Sequence, residues 1–159
     1  MNSAQRHEAE AMEMRERKRV TDLLARAARD ELDAAWEALP EKPAVQPVRG
    51  PETGLVMVRG RIGGGGSPFN LGEVTVTRTT IRLASGKVGH AHALGSDRER
   101  SRLAAIFDAL WQEPATKDFV ERTILAPVAE RIRAADAKKA DETAATRVDF
   151  FTMVRGEDK

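Results

Sequence analysis

The residues best suited to chemistry lie together in Arg59-Gly60-Arg61-Ile62-Gly63-Gly64-Gly65-Gly66-Ser67-Pro68-Phe69. A glycine run lets successive backbone N–H groups converge on an anion, and flanking guanidinium groups strengthen that attraction. The implied chemistry is phosphate contact. However, the run lacks the Gly-Lys-Ser/Thr ending of a nucleotide loop, and the segment after it reads as strand. No helix N-terminus therefore supports an anion there. A mobile hairpin connection, or a close backbone approach by a partner, fits the glycines equally well.

Histidines 90 and 92 stand two apart on an expected strand and so share one face. That spacing suits two metal ligands, but no third ligand of suitable type lies nearby, and a solvated sheet face is the simpler reading. No metal is expected. The seryl and threonyl hydroxyls lack a Gly-x-Ser-x-Gly elbow, and the Thr75, Thr77, Thr79 row reads as strand composition. Asp149, set between Val148 and Phe150, suits an ion pair with an arginine more than a catalytic base. No residue is assigned a catalytic role.

These groups need elements to hold them. Residues 4–29 are rich in Ala, Glu, Arg and Met without Gly or Pro, which favours helix, and a second helix is expected over Asp30–Ala38. Pro43 and Pro47 mark an extended connector. Gly54–Ile62 and Leu71–Leu83 read as strands. The apolar phase of the second moves from Val74 and Val76 to Ile81 and Leu83, which suggests a bulge near Arg78–Thr80. Ser85-Gly86-Lys87 reads as a hairpin turn into a strand over Lys87–Leu94. Ser96 or Asp97 can cap a helix with the stripe Leu103, Ile106, Phe107, Leu110 and Trp111, ended by Pro114. Helix is expected again from Phe119 to about Thr146, with Pro127 either kinking it or opening a new helix. Asp118 with Arg122, and Glu99 with Arg102, have the spacing of surface helix pairs. The fold class is α+β: a small antiparallel sheet of three to four strands, with N- and C-terminal helices packed around it.

Composition narrows the function further. Among 159 residues, 41% are hydrophobic, yet 25 are alanine and only 33 are Leu, Ile, Val or Phe. A core that thin gains from a partner sharing its apolar surface. The absence of cysteine excludes disulfides, thiol catalysis and cysteine-based zinc sites. No apolar run is long enough for a membrane span, and the charged N-terminus is no secretory signal, so a cytoplasmic protein is the expectation. Overall charge is +1, but residues 45–95 carry Arg49, Arg59, Arg61, Arg78, Arg82 and Lys87 against Glu52 and Glu73. Five of those six cations are arginine, whose planar fork suits phosphate and carboxylate. One aromatic, Phe69, is too few for a base-stacking sheet, so nucleic acid is not an expected partner. The ending Arg147-Val148-Asp149-Phe150-Phe151-Thr152-Met153-Val154-Arg155-Gly156 is unusually apolar for a terminus, and another subunit is the natural cover.

Four stretches carry a resemblance. They are Glu52-Thr53-Gly54-Leu55-Val56, the glycine loop from Arg61 with Phe69, Thr75-Val76-Thr77-Arg78 continuing to Arg82-Leu83, and the ending Arg147–Gly156. Over about Arg15–Gly156 the chain resembles the G-subunit family of the bacterial carbon–phosphorus lyase system. That resemblance implies a single domain over residues 15–159 behind a charged extension, residues 1–14. It implies a reaction in which methylphosphonate displaces adenine from C1′ of ATP, giving α-D-ribose 1-methylphosphonate 5-triphosphate. The I subunit would be the main contact, with H, J and L as further partners, and the G subunit would serve as a required companion. No cofactor is expected on this subunit; ATP and methylphosphonate are substrates of the complex. The positions that transfer are Arg61, Gly63, Gly64, Gly66 and Arg78, as candidates for substrate binding. Arg59 and Arg82 are further sources of positive charge beside an oxocarbenium-like centre, a dianion and a triphosphate.

Overall fold

The computed structural model describes residues 3–61 and 65–146. Helix α1 spans Ser3–Arg26 and α2 spans Arg29–Ala38. Three strands follow, β1 (Val45–Gly60), β2 (Phe69–Leu83) and β3 (Val88–Leu94), then α3 (Arg98–Trp111) and α4 (Pro114–Val120). A π-helical turn, Glu121–Leu125, leads into α5 (Ala126–Ala145). The strands form one antiparallel sheet in the order β1-β2-β3. This is the expected α+β architecture, with three strands.

One face of the sheet makes the core. Odd-numbered residues of β2 (Thr77, Thr79, Ile81, Leu83) and Gly89, Ala91 and Ala93 of β3 point toward α3 and are buried. Helix α3 starts where Asp97 Oδ1 accepts the Arg100 N–H at 2.9 Å, a side-chain cap for an otherwise orphan donor. Its whole expected stripe is buried, with Ile106 and Phe107 inaccessible. Gly89 permits this approach: a Cβ there would lie 1.9 Å from the Ala105 carbonyl oxygen. Only a residue without a side chain lets α3 lie this close to the strand. The threonine row is structural, since Thr77 Oγ1 donates to the Gly95 carbonyl at 2.8 Å and Thr79 Oγ1 meets Ser101 Oγ at 2.8 Å.

The outer edge of β3 is plugged by side chains. The Val88 carbonyl accepts from Arg17 Nη2 at 3.1 Å and Gln112 Nε2 at 2.8 Å. The His90 N–H donates to Asp108 Oδ2 at 2.8 Å. Asp108 is fully buried, and its charge is met by Arg17 at 2.9 Å, so one carboxylate joins α1, β3 and α3. Arg100 does similar work, donating to the Ala25, Ala27 and Leu94 carbonyls. Glu31 and Arg131 tie α2 to α5 at 2.8 Å, and hydrogen bonding from Arg131 holds the Glu31 carboxyl below its ordinary range.

Several sequence expectations change in detail. At the level of Arg78–Thr80 the extra residues lie in β1, not β2. Pairing of β2 with β3 runs evenly from Val76 to Arg82, whereas register shifts fall between Pro47 and Arg49 and between Arg49 and Glu52; a third, between Val58 and Arg59, places an extra residue in β2 near the far end of that strand pair. The phase change in β2 marks a change of cover: Ile81 and Leu83 face α3, while Val74 and Val76 lie on the opposite face. Strand β1 begins at Val45 and carries Pro47 and Pro51, which an edge strand tolerates. Pro114 opens α4 after α3 has already ended at Trp111. Pro127 sits in a continuing helical path, where the wide π turn before it accommodates a residue without an N–H. Glu99 and Arg102 form their ion pair, but Arg122 reaches the Asp118 main-chain carbonyl rather than its carboxylate. The apolar ending from Arg147, including Asp149, lies outside the described residues.

Candidate functional site

Beyond Val76 and Leu94 the sheet narrows to two strands. Residues 55–60 of β1 and 69–75 of β2 form a ribbon that runs past the last residue of β3. Leu55 pairs with Thr75 and Met57 with Glu73 on one face; Val56 pairs with Val74 on the other. Leu55 is 65% exposed and Leu71 61%, with Val56, Met57 and Phe69 exposed as well. Both faces of the ribbon are therefore apolar and open.

The glycine loop joins the ribbon strands at their far end. Arg61 and Gly66 are exposed there, while Gly63 and Gly64 lie outside the described residues. Arg78 stands at the other end, on the sheet proper. Eight residues separate it from Asn70 near the tip, roughly 26 Å of extended strand. Within one chain, Arg61 and Gly66 form one locus and Arg78 another. Arg59 pairs with Asn70 near the tip, and Arg82 lies on the sheet beside Gln46 and Val88.

Around Arg78 the structure gathers residues whose roles were not apparent from spacing. Arg78 is directly opposite Glu52 of β1 and His92 of β3, and Thr80 is opposite Arg49 and His90. Glu52 Oε2 accepts from Arg49 Nε and Arg78 Nε, each at 3.1 Å. Desolvation alone pushes the Glu52 carboxyl upward; the two arginine hydrogen bonds and their charges outweigh it and hold the group below its ordinary range. Thr80 Oγ1 lies 3.1 Å from His90 Nδ1, which fixes that ring. His92 makes no hydrogen bond or ion pair among the described residues. Two shallow hollows of about 210 and 140 Å³ flank the cluster, and Arg78 and His92 line both.

The bulge in β1 creates this arrangement. Arg49 and Glu52 are three residues apart, so regular alternation would send them to opposite faces. Three steps of β1 here span two of β2, Thr80 to Arg78, and the extra residue returns both side chains to the outer face. Gly50 turns the chain with φ +69; a Cβ there would meet Glu52 N at 2.6 Å and the Arg78 carbonyl at 2.7 Å. The Gly50-Pro51 pair just before Glu52 was the available sequence signal. Its meaning depends on which strand lies alongside.

No group of three metal-ligating side chains occurs among the described residues, and no helix among them is long and apolar enough to cross a membrane. What the geometry defines is a small α+β protein whose accessible features are open surfaces: a basic sheet face and an apolar ribbon. Residues 15–156 match the family described as "Phosphonate metabolism protein PhnG". A protein of Rhizobium meliloti (strain 1021), named alpha-D-ribose 1-methylphosphonate 5-triphosphate synthase subunit PhnG, is 65% identical over 136 residues, which cover 86% of this chain and 86% of that protein. The chain belongs to the PhnG family of phosphonate metabolism proteins.

Proposed function

We propose that this chain is an accessory subunit of a cytoplasmic synthase that transfers the ribose 5-triphosphate unit of ATP to methylphosphonate, releasing adenine. The I subunit of the carbon–phosphorus lyase assembly is its main contact, and H, J and L are its further partners. The observation that carries this reading is the uncovered ribbon. A two-stranded ribbon with exposed Leu55, Val56, Met57 and Leu71 is poorly stable in water alone, and covering those side chains would contribute roughly 25 cal/mol for each Å² buried. A place in an assembly supplies that cover. The similarity to a protein named as a synthase subunit supports the same reading.

Within that assembly Arg61, Gly63, Gly64, Gly66 and Arg78 are the proposed substrate-binding positions, and the subunit binds no cofactor of its own. The reaction brings a phosphonate dianion to a ribosyl centre while a triphosphate is held nearby. Fixed guanidinium charge lowers that mutual repulsion without reorganising during the reaction. Because the loop and Arg78 are far apart in one chain, they would act as separate contacts. A second reading, a scaffold that stabilises the I subunit and touches no substrate, draws on the pairing of Arg78 with Glu52.

Single-turnover adenine release by the reconstituted complex separates the two. With assembly confirmed by native mass, Arg78→Ala and Arg61→Ala are each expected to slow release about a hundredfold, close to 2.7 kcal/mol. A wild-type rate from an intact complex would leave the scaffold reading in its place.

A further inference from the structure

We propose that the uncovered face of the sheet carries an oxyanion site of the phosphoryl or phosphonate type. Arg49, Arg78, His90 and His92 build it, and Glu52 fills it as an internal counter-ion until a ligand displaces it. Only the naming of the ligand rests on the subunit reading above; the site itself stands on the geometry.

Four nitrogen-bearing side chains from three strands converge on one patch in two adjacent cross-strand rows, Arg49–Thr80–His90 and Glu52–Arg78–His92. Directly opposed residues have Cβ atoms only about 5 Å apart, so the long arginine side chains and the histidine rings on either side can reach one tetrahedral anion seated over the centre of the patch. Glu52 is the sole carboxylate on these rows, and it accepts from both arginines through the same oxygen, Oε2. A phosphonate or phosphate presents three oxygens where Glu52 presents two, and can engage both guanidinium forks together. The Nε2 atom of His90 and both ring nitrogens of His92 have no hydrogen-bond partner among the described residues, leaving them for the ligand's remaining oxygens. The 210 and 140 Å³ hollows on either side of Arg78 give the anion somewhere to sit.

An ordinary surface ion pair does not require this backbone. A pair of half-exposed charges contributes little to stability, yet β1 spends an extra residue and a left-handed glycine to bring Arg49 and Glu52 to the same face. Bulges of this kind re-aim side chains. Here the re-aimed groups are a cation and the carboxylate that holds its place, an arrangement that holds two arginines on one carboxylate oxygen and pre-organised before a ligand arrives.

The chain has only three histidines, and His7 on α1 serves as an internal control. The full-length protein is titrated separately with methylphosphonate and with tripolyphosphate, at fixed pH and ionic strength, following the histidine ring signals by NMR. Saturable shifts of His92 and His90 with His7 unmoved are expected for at least one anion. Which anion responds distinguishes a phosphonate site from a triphosphate site. Arg78→Ala and Arg49→Ala should each weaken binding tenfold or more, and Glu52→Gln should strengthen it at least threefold by removing the built-in competitor. Shifts that never saturate, shifts shared equally by His7, or weaker binding in Glu52→Gln would each overturn the site. An intact assembly with no anion response removes the site and leaves the subunit reading standing.

Discussion

The same two strands behave differently along their length. From Thr77 to Leu83, β2 lies between two neighbours and beneath α3, with its inward side chains almost wholly buried and the outer edge of β3 plugged by Arg17, Gln112 and Asp108. From Phe69 to Thr75 its only strand partner is β1. Its large apolar side chains there are open. Apolar residues occur in both halves, Val45, Ile81 and Leu83 in the first and Leu55, Val56, Met57 and Leu71 in the second. The difference is one of cover: the first half is covered by its own chain, and the second is left open by it.

That contrast sets opposite expectations for substitutions in the two halves. The largest effect belongs to the covered half. Phe107→Ala empties the centre of the α3 interface and should cost about 4 kcal/mol in urea unfolding, enough to remove much of a small domain's stability. If the free chain unfolds unchanged, Phe107 is not at the heart of a single core. In the ribbon, paired Leu55→Asp and Leu71→Asp changes should alter unfolding of the free chain by less than about 0.5 kcal/mol, because exposed sites lose no packing. The same pair should weaken assembly with the other synthase subunits at least tenfold, read by native mass spectrometry. Equal loss in both measurements would mean the ribbon packs on its own chain.

The smallest effect sharpens the covered half further, through Glu31. Its carboxyl is held below the ordinary 4.5 by the Arg131 hydrogen bond, so the group binds protons less readily folded than unfolded. The contribution is therefore complete above the unfolded value and is lost as pH falls through the depressed folded one. Glu31→Gln should flatten the acid limb of the stability curve below about pH 4.5 and change little near neutrality. An unchanged acid limb would show that the α2–α5 tie contributes nothing.

Much of this was legible without coordinates because it is local. The α3 stripe from Leu103 to Trp111, the turn at Ser85–Lys87 and the capping position at Asp97 each follow from spacing within a few residues. The site was less legible. Arg78 stood out as an arginine on a strand, but Glu52 lies 26 residues earlier and reaches it only because β1 bulges beside it. His92 becomes its neighbour through the register of β3. Register across strands is decided by which faces are buried, and here the two halves of β2 are buried differently. The valine phase change therefore pointed to the right level of the sheet and the wrong strand.

The central claim is that one half of the sheet is complete in the free chain while the other is completed by a partner. Amide hydrogen exchange in the free chain and in the assembled synthase tests it directly. Residues 55–60 and 69–75 should exchange rapidly in the free chain and become protected on assembly, with residues 77–83 and 88–94 protected in both. Strong protection of the ribbon in the free chain, or its continued rapid exchange in the intact assembly, would contradict the account.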